Sequence, residues 1–475
     1  MNSIASKNIF KPVSPMVGGL LLFIPALLLY VAVYMELGAY VLGAVAGIPF
    51  IVAFIRYPKF WLHFVAVSSG VFFISTGEGV SALDVVFLLT HVGGILIWLG
   101  WQVFVERRKL MRNIADWLIV FFFIALWLNL AIAWLNEVEL IYWFREYFLL
   151  TATLYYFPFR EYFNTPEKLK KILISFAIAI LIVAFYQFWM YYKAITSQNV
   201  LYAYQLGTSV RINQAILTSA SMIGLLMVLE IKKLLPRLLM VAFTVVSVAG
   251  LIASFSRTFW AILLFGIFVI FIYVSYRKKI MLIWSTFITF FIFAFGVIVV
   301  MDQDAGILFQ VIENRFTSTS RGIQDISVQS RLSEYDALFN RIAENPLGGN
   351  GLSSGFHFYN PITQTTLHTA IIHNGYFYLA YRIGIPLTLC YLAFLFYYFF
   401  RSEWLIRKLD DEFMKSLALG AFVSLLAIFI ANITSSQFQS RDGMFVIIVS
   451  IVIISLCENQ YKKEKLANSE NYGKE

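Results

Sequence analysis

Charge is scarce in this chain: Asp, Glu, Lys and Arg together make up 13% of its 475 residues, about half the share of an ordinary globular protein. That leaves too little polar surface for a separate soluble domain. Cysteine is nearly missing as well. Cys390 and Cys457 lie in different apolar runs, so there is no pattern for a disulfide framework or a thiolate metal site. No P-loop, glycine-rich dinucleotide fingerprint, zinc spacing or internal repeat is present, and the nucleotide and metal chemistry of soluble enzymes is excluded with them. What fills the chain is apolar: 60% hydrophobic residues and a mean hydropathy of +0.77.

Crossing a hydrocarbon core takes about 20 helical residues, and fourteen runs qualify: 17–35, 38–55, 60–77, 81–105, 114–135, 139–158, 170–193, 212–230, 235–254, 258–275, 280–301, 372–400, 413–432 and 442–458. The second and third are short and also fit one re-entrant element. The expected fold is an all-α polytopic integral membrane protein with about 14 (12–14) transmembrane helices, a single membrane domain over 1–475. Lys and Arg retained on the cytoplasmic side orient such a bundle. With the N-terminus inside, the inner gaps hold Lys7, Lys11, Arg56, Lys59, Arg107, Arg108, Lys109, Arg112, Arg160, Lys168, Lys170, Lys171, Lys232, Lys233, Arg237, Arg277, Lys278, Lys279, Arg401, Arg407, Lys408, Lys415, Lys462, Lys463, Lys465 and Lys474. These are 26 of the 36 basic residues, and both termini are expected to be cytoplasmic. The net charge of +9 is thereby topological and makes no case for a nucleic-acid partner. The partner it implies is membrane lipid. The first run carries no small-residue cleavage site and reads as a retained signal anchor.

One gap is far longer than the others, 302–371, on the outer side. Leu332, Tyr335, Leu338, Phe339 and Ile342 recur there at helical spacing, with Arg331, Glu334 and Arg341 on other faces, which predicts an amphipathic helix over 329–344. Asn345-Pro346 ends it, and Leu347-Gly348-Gly349-Asn350-Gly351 reads as a flexible turn. A loop of this length with its own helix is expected to act as a lid; the plainer alternative is a helix lying flat on the membrane.

Three side chains stand where spans meet the outer boundary. Arg211 opens the eighth span, Arg257 lies in the short Ser254-Phe255-Ser256-Arg257-Thr258 break between the ninth and tenth, and His373 with Asn374 opens the twelfth. A helix starting at Arg257 offers unpaired backbone N–H groups, a positive dipole end and a forked guanidinium at one point, which suits a phosphate or diphosphate. Taken singly, each arginine also fits a snorkelling anchor. A histidine near neutral pKa can accept a proton from a hydroxyl or donate to a phosphate oxygen; His368 and His357 lie earlier in the loop. Inside the spans, Arg145 and Glu146 sit in the sixth, Arg382 in the twelfth and Asp84 near the outer end of the fourth. Intramembrane charges usually pair or line a watery cavity, and a structural Glu146–Arg382 pairing is expected, with a proton path as the alternative.

Ser254-Phe255-Ser256-Arg257-Thr258-Phe259-Trp260-Ala261 resembles the serine-arginine motif of the bacterial O-antigen ligase and polysaccharide polymerase superfamily. Gln329-Ser330-Arg331 through Glu344-Asn345-Pro346-Leu347-Gly348-Gly349-Asn350-Gly351 resembles that family's loop helix and its ending, with one extra residue before the last glycine. His373-Asn374-Gly375-Tyr376 and Tyr381-Arg382-Ile383-Gly384-Ile385-Pro386 resemble its His-Asn motif and Gly-Ile-Pro continuation; Arg211 with Asn213 is a looser match. The resemblance covers 211–386. It implies a GT-C-like membrane glycosyltransferase that needs no metal and no cofactor, with its site facing the periplasm from the bacterial inner membrane. The implied donor is an undecaprenyl-diphosphate-linked glycan, and the acceptor is lipid A core, for an O-antigen ligase, or a second carrier-linked glycan, for a polymerase. Arg211 and Arg257 would hold the diphosphate, with Ser256 beside it. His373 would orient or deprotonate the acceptor hydroxyl or contact phosphate, with Asn374 beside it. Arg331 and Arg341 would close over the donor, and Trp260 and Tyr376 would stack on sugar. Protein O-oligosaccharyltransferase and lipid-linked oligosaccharide flippase remain as alternatives.

Overall fold

The structure, a computed structural model, describes residues 56–72, 88–196, 213–301, 313 and 326–472. The expected spans 17–35 and 38–55, the later part of 60–77, the start of 81–105 and Asp84 lie outside the described residues. Within them the chain is mostly helical. In order come α1 (Pro58–Phe72), α2 (Gly93–Gly100) flanked by π-helical turns, α3 (Ile114–Leu135), α4 (Leu140–Thr151), α5 (Tyr156–Tyr162), α6 (Pro166–Thr196) and α7 (Gln214–Glu230). Then follow α8 (Leu234–Ala253), α9 (Arg257–Tyr273), α10 (Tyr276–Met301), α11 (Ile326–Glu344), strands β1 (Phe356–Asn360) and β2 (Thr365–Thr369), α12 (Gly375–Lys408), α13 (Glu412–Ala431) and α14 (Arg441–Tyr472).

Seven of these are long and apolar enough to cross a bilayer: α3, α6, α8, α10, α12, α13 and α14. Three shorter apolar helices accompany them, Thr90–Val105, Gln214–Glu230 and Arg257–Tyr273. At 17 residues α7 and α9 stand at the lower limit for a span. The helices form an integral membrane bundle in which α13 and α14 are the most enclosed and α10 is almost entirely on the outside. α13 packs on α7, α9, α12 and α14, so the helix that ends in the 432–440 turn touches four others.

Contacts sort the described basic clusters to one end. Arg160, at the end of α5, bonds Asp116 at the start of α3 at 2.9 Å and caps Leu110 O. Lys278 at the start of α10 bridges Glu230 at the end of α7 and Glu412 at the start of α13, at 2.6 and 2.7 Å. Lys170 of α6 lies over the Phe413 ring of α13. The opposite end carries the 345–374 segment, and there the helices depart from regular geometry.

The sixth expected span, 139–158, is not one regular helix: α4 tightens into a 3-10 turn over 152–155, and α5 follows toward the basic end. Nor is the twelfth, 372–400, because α12 breaks at Gly384, whose φ of 78° and ψ of 163° are open to glycine and costly for other residues. Pro386 explains the break. The helical partner of the Arg382 carbonyl would be the N–H of residue 386, which proline lacks. The freed groups are satisfied by 346–351: Gly351 N donates to Arg382 O at 2.9 Å, Asn350 N to Tyr381 O at 2.8 Å, and Ile385 N to Pro346 O at 2.8 Å. Asn129 of α3 completes the joint, donating to Arg382 O at 2.8 Å and accepting from Leu352 N at 2.9 Å. Non-helical backbone persists at membrane depth when protein groups satisfy it. The segment 347–351, expected to be a flexible turn, is therefore a fixed strap: Gly351, at φ 94°, would drive a Cβ to 2.5 Å from Ala133 Cα.

The loop also holds a hairpin that departs from an all-α reading. β1 and β2 pair antiparallel with His357 opposite His368. The alternation in Phe-His-Phe-Tyr turns Phe356 and Phe358 inward and leaves His357 exposed. The Phe356 ring meets Tyr381 edge-on, which seats the hairpin on α12 beside its break.

Candidate functional site

Arg257 begins α9 directly after a turn that bends against its own preference. Phe255 has a φ of 53°, rare for a bulky residue and held only where packing overrides it. The packing is evident: Phe255 is fully buried, its N–H donates to Ile252 O at 3.0 Å, and Ser254 bonds Leu251 O through both its N–H and its hydroxyl. Ser256 is the N-cap of α9 but makes no side-chain cap bond. The first turn of α9 is thus delivered by a rigid, strained hinge at the loop end of the bundle.

His373 is gripped from the loop. Glu334 of α11 accepts from the His373 backbone N–H through Oε1 and meets the ring Nδ1 through Oε2, each at 2.7 Å. Glu334 is 2% exposed, whereas the His373 side chain is 49% exposed. The imidazole is consequently anchored through Nδ1 on a side chain that stays half-exposed. The 329–344 helix is present, as α11 over Ile326–Glu344, but its inward face is Glu334, Leu338 and Ile342, while Leu332 and Phe339 stand out in the open. Sequence periodicity had put Glu334 on another face.

The two arms meet on one turn. Asn374 Nδ2 donates to Ile433 O at 3.1 Å, and the Tyr335 hydroxyl of α11 donates to the same carbonyl at 2.8 Å. Burial holds the Tyr335 hydroxyl above its ordinary range, so it remains a neutral donor. The next residue, Thr434, reaches Thr258 at 3.5 Å, the neighbour of Arg257. Since consecutive Cα atoms are about 3.8 Å apart, the arginine-bearing helix start and the histidine-bearing segment share one scaffold. That scaffold is self-supported: Asn432 Oδ1 accepts from Gln437 N and Phe438 N, and Asn432 O accepts from Gly375 N at 2.8 Å. No sequence motif pointed to 432–440. Its Asn and Ser-rich composition was the available signal.

The remaining expected residues divide. Arg211 lies outside the described residues. Arg331 is half-buried beside Tyr335 on α11. Arg341 is paired with Glu344 of its own helix at 2.9 Å, both about half-exposed. Trp260 is 9% exposed and its indole N–H donates to Leu251 O at 3.1 Å, so it fastens the hinge and presents no face for sugar. Tyr376 spends its hydroxyl on Phe429 O at 2.8 Å and its ring edge on Phe438. Asn374 is an N-cap, accepting from Tyr376 N and Phe377 N, and with its amide on Ile433 O it positions α12. The Glu146–Arg382 pairing is present at 3.9 Å, within a network where Glu146 also accepts from Tyr378, Ser353 N and Gln439. Among the described residues no group of three His, Cys, Asp or Glu is arranged to hold a metal ion.

Residues 242–392 match the family model described as O-antigen ligase. The match runs from the middle of α8 to the middle of α12 and takes in Arg257, α11, the strap, His373 and the break at Gly384. A search of curated proteins gave no match.

Proposed function

We propose, from the match of residues 242–392 to the O-antigen ligase family model, that this chain is a membrane glycosyltransferase acting on a glycan carried by undecaprenyl diphosphate at the periplasmic face of the inner membrane. The observation that carries the reading is the convergence of the Arg257 helix start and the His373 segment on Thr434 and Ile433. One arm supplies cationic and N–H donors of the kind a leaving diphosphate requires. The other supplies a half-exposed imidazole.

The acceptor hydroxyl oxygen attacks the anomeric carbon of the donor glycan as the bond from that carbon to the diphosphate oxygen breaks. The electron pair leaves with undecaprenyl diphosphate, whose developing charge Arg257, with Arg211, stabilises. The hydroxyl proton passes to His373. Preorganised donors aimed at developing charge are worth about a hundredfold or more in rate, and with arginines in that role no divalent metal is required. The acceptor is lipid A core or a second carrier-linked glycan.

Purified protein with undecaprenyl-diphosphate glycan tests the reading. Arg257→Ala is expected to fold and to lose transfer on the order of a hundredfold or more. Arg257→Lys should recover little, because an ammonium lacks the bidentate fork. Transfer that persists in Arg257→Ala, or that collapses with chelator and returns with magnesium, overturns the arginine-based mechanism.

A further inference from the structure

We propose that Glu334 is the positioning residue of this site: it fixes the His373 tautomer so that Nε2 accepts the proton of the acceptor hydroxyl. The inference rests on the transferase reading and decides between its two roles for His373, proton acceptor or phosphate contact. The geometry is specific. A carboxylate can only accept, so the 2.7 Å contact of Glu334 Oε2 with Nδ1 places the ring proton on Nδ1. In the neutral ring Nε2 then carries the lone pair, on a side chain that is half-exposed. Oε1 meanwhile takes the His373 backbone N–H at 2.7 Å, so one buried side chain fixes both the position of the residue and the rotation of its ring. When Nε2 takes up a proton, the adjacent carboxylate stabilises the imidazolium that forms. This is the orienter logic of a nucleophile–base–carboxylate relay, in which the carboxylate never takes the proton itself.

The carboxylate comes from the long loop, 39 residues before the histidine in sequence. It is held there by neighbouring side chains of α11: Ser330 to Asn360 Oδ1, Ser333 to Tyr359 O at 2.6 Å, and Tyr335 to Ile433 O. The loop helix thereby supplies half of the proton-accepting pair, and seating α11 assembles it.

Glu334→Gln isolates the role. The amide oxygen can still accept the His373 N–H, but its NH₂ now faces Nδ1 as a donor, which moves the ring proton to Nε2 and removes the lone pair there. The expected result is a folded protein with unchanged donor-lipid affinity and a single-turnover rate reduced by about 10²–10⁴-fold, the span of a lost general base. Glu334→Asp, which keeps the charge, should restore part of that rate. A second measurement is independent of activity: nitrogen NMR of ring-labelled histidine, with the His373 signals assigned by comparison with His373→Gln. Wild type should show a proton on Nδ1 and an acceptor Nε2, and Glu334→Gln should show the reverse. Wild-type transfer by Glu334→Gln, an unchanged tautomer, or a loss confined to donor affinity each overturns the proposal. If wild type shows the Nδ1–H tautomer yet transfers no carrier-linked glycan, the transferase reading fails while the pairing stands.

Discussion

The two ends of the bundle use polar groups in opposite ways. At the basic end charges are matched with one another: Arg160 with Asp116, Lys278 between Glu230 and Glu412, Arg401 with Glu458, Arg112 with Glu161. Two of its helices start at side-chain caps, Asn113 on Asp116 N and Asp411 on Met414 N. At the loop end the backbone is bent instead. Apart from Arg107, the described residues with left-handed backbone lie there: Glu137, Asn213, Phe255, Ser353 and Gln364, with Gly349, Gly351 and Gly384. Strain of about 1–3 kcal/mol per residue persists where surroundings over-determine it and gathers at functional sites. The contrast separates charge used to hold helices from backbone shaped to present groups.

The largest expected effect comes from breaking the strap. Gly351→Ala combines a φ of 94° with a Cβ at 2.5 Å from the α3 backbone at Ala133, so α3 and α12 cannot both keep their places. The expected outcome is loss of folded protein, read as a lost monodisperse peak in detergent. A normal melting temperature would mean that the strap is not what closes the break at Gly384.

Next is the basic end. Arg160→Ala leaves Asp116 fully buried without its cation, and breaking such a pair typically costs about 3–5 kcal/mol. The double variant Arg160→Met, Asp116→Leu should regain much of that stability, because removing both charges avoids the desolvation penalty. Transfer per folded molecule is expected to match wild type in the double variant. A stable but inactive double variant would break the comparison, since it would place function at the end assigned to structure.

The comparison also explains what could be read from residues alone. Span limits were legible to within a few residues wherever an apolar run carried its own ends: 114–135 is α3, and 235–254 and 413–432 are each displaced by one from α8 and α13. The loop helix was legible for the same reason. What stayed hidden depends on distant partners. Glu334 reads as a solvent-facing carboxylate until a histidine 39 residues later is seen to bury it, and hydrophobic periodicity has no means of scoring that. Leu347-Gly348-Gly349-Asn350-Gly351 reads as flexible because glycine is permissive. It is rigid because Pro386, on another element, leaves a carbonyl for it to satisfy. The 432–440 turn carries no charged motif, and its importance lies in what leans on it.

A smaller effect is expected at the lid contact. Tyr335→Phe removes one hydroxyl donor, worth about 1 kcal/mol, while Ile433 O keeps its bond from Asn374. The carbonyl is not orphaned, so the melting temperature should barely move. Transfer should fall only several-fold as α11 loses one of its fastenings, measured as single-turnover rate at saturating donor. A loss as deep as that of Glu334→Gln would show that Tyr335 does more than hold the helix.

The smallest effect belongs to Arg341, and it tests the contrast from within the loop. The residue stands on the same helix as Glu334, but its guanidinium pairs with Glu344 one turn on, with the two side chains 51% and 55% exposed. Exposed helical pairs of this spacing contribute about 0.2–0.5 kcal/mol and are screened by salt. Arg341→Ala is therefore expected to leave stability unchanged within error and transfer within about twofold of wild type, at low and high ionic strength alike. The sequence resemblance implied that this arginine closes over the donor, which would instead produce a loss approaching that of Arg257→Ala and a matching fall in donor affinity. Residues seven apart lie on nearly the same face of a helix, so that outcome would mean Arg341 leaves Glu344 and reaches the donor from the side of α11 that carries Glu334.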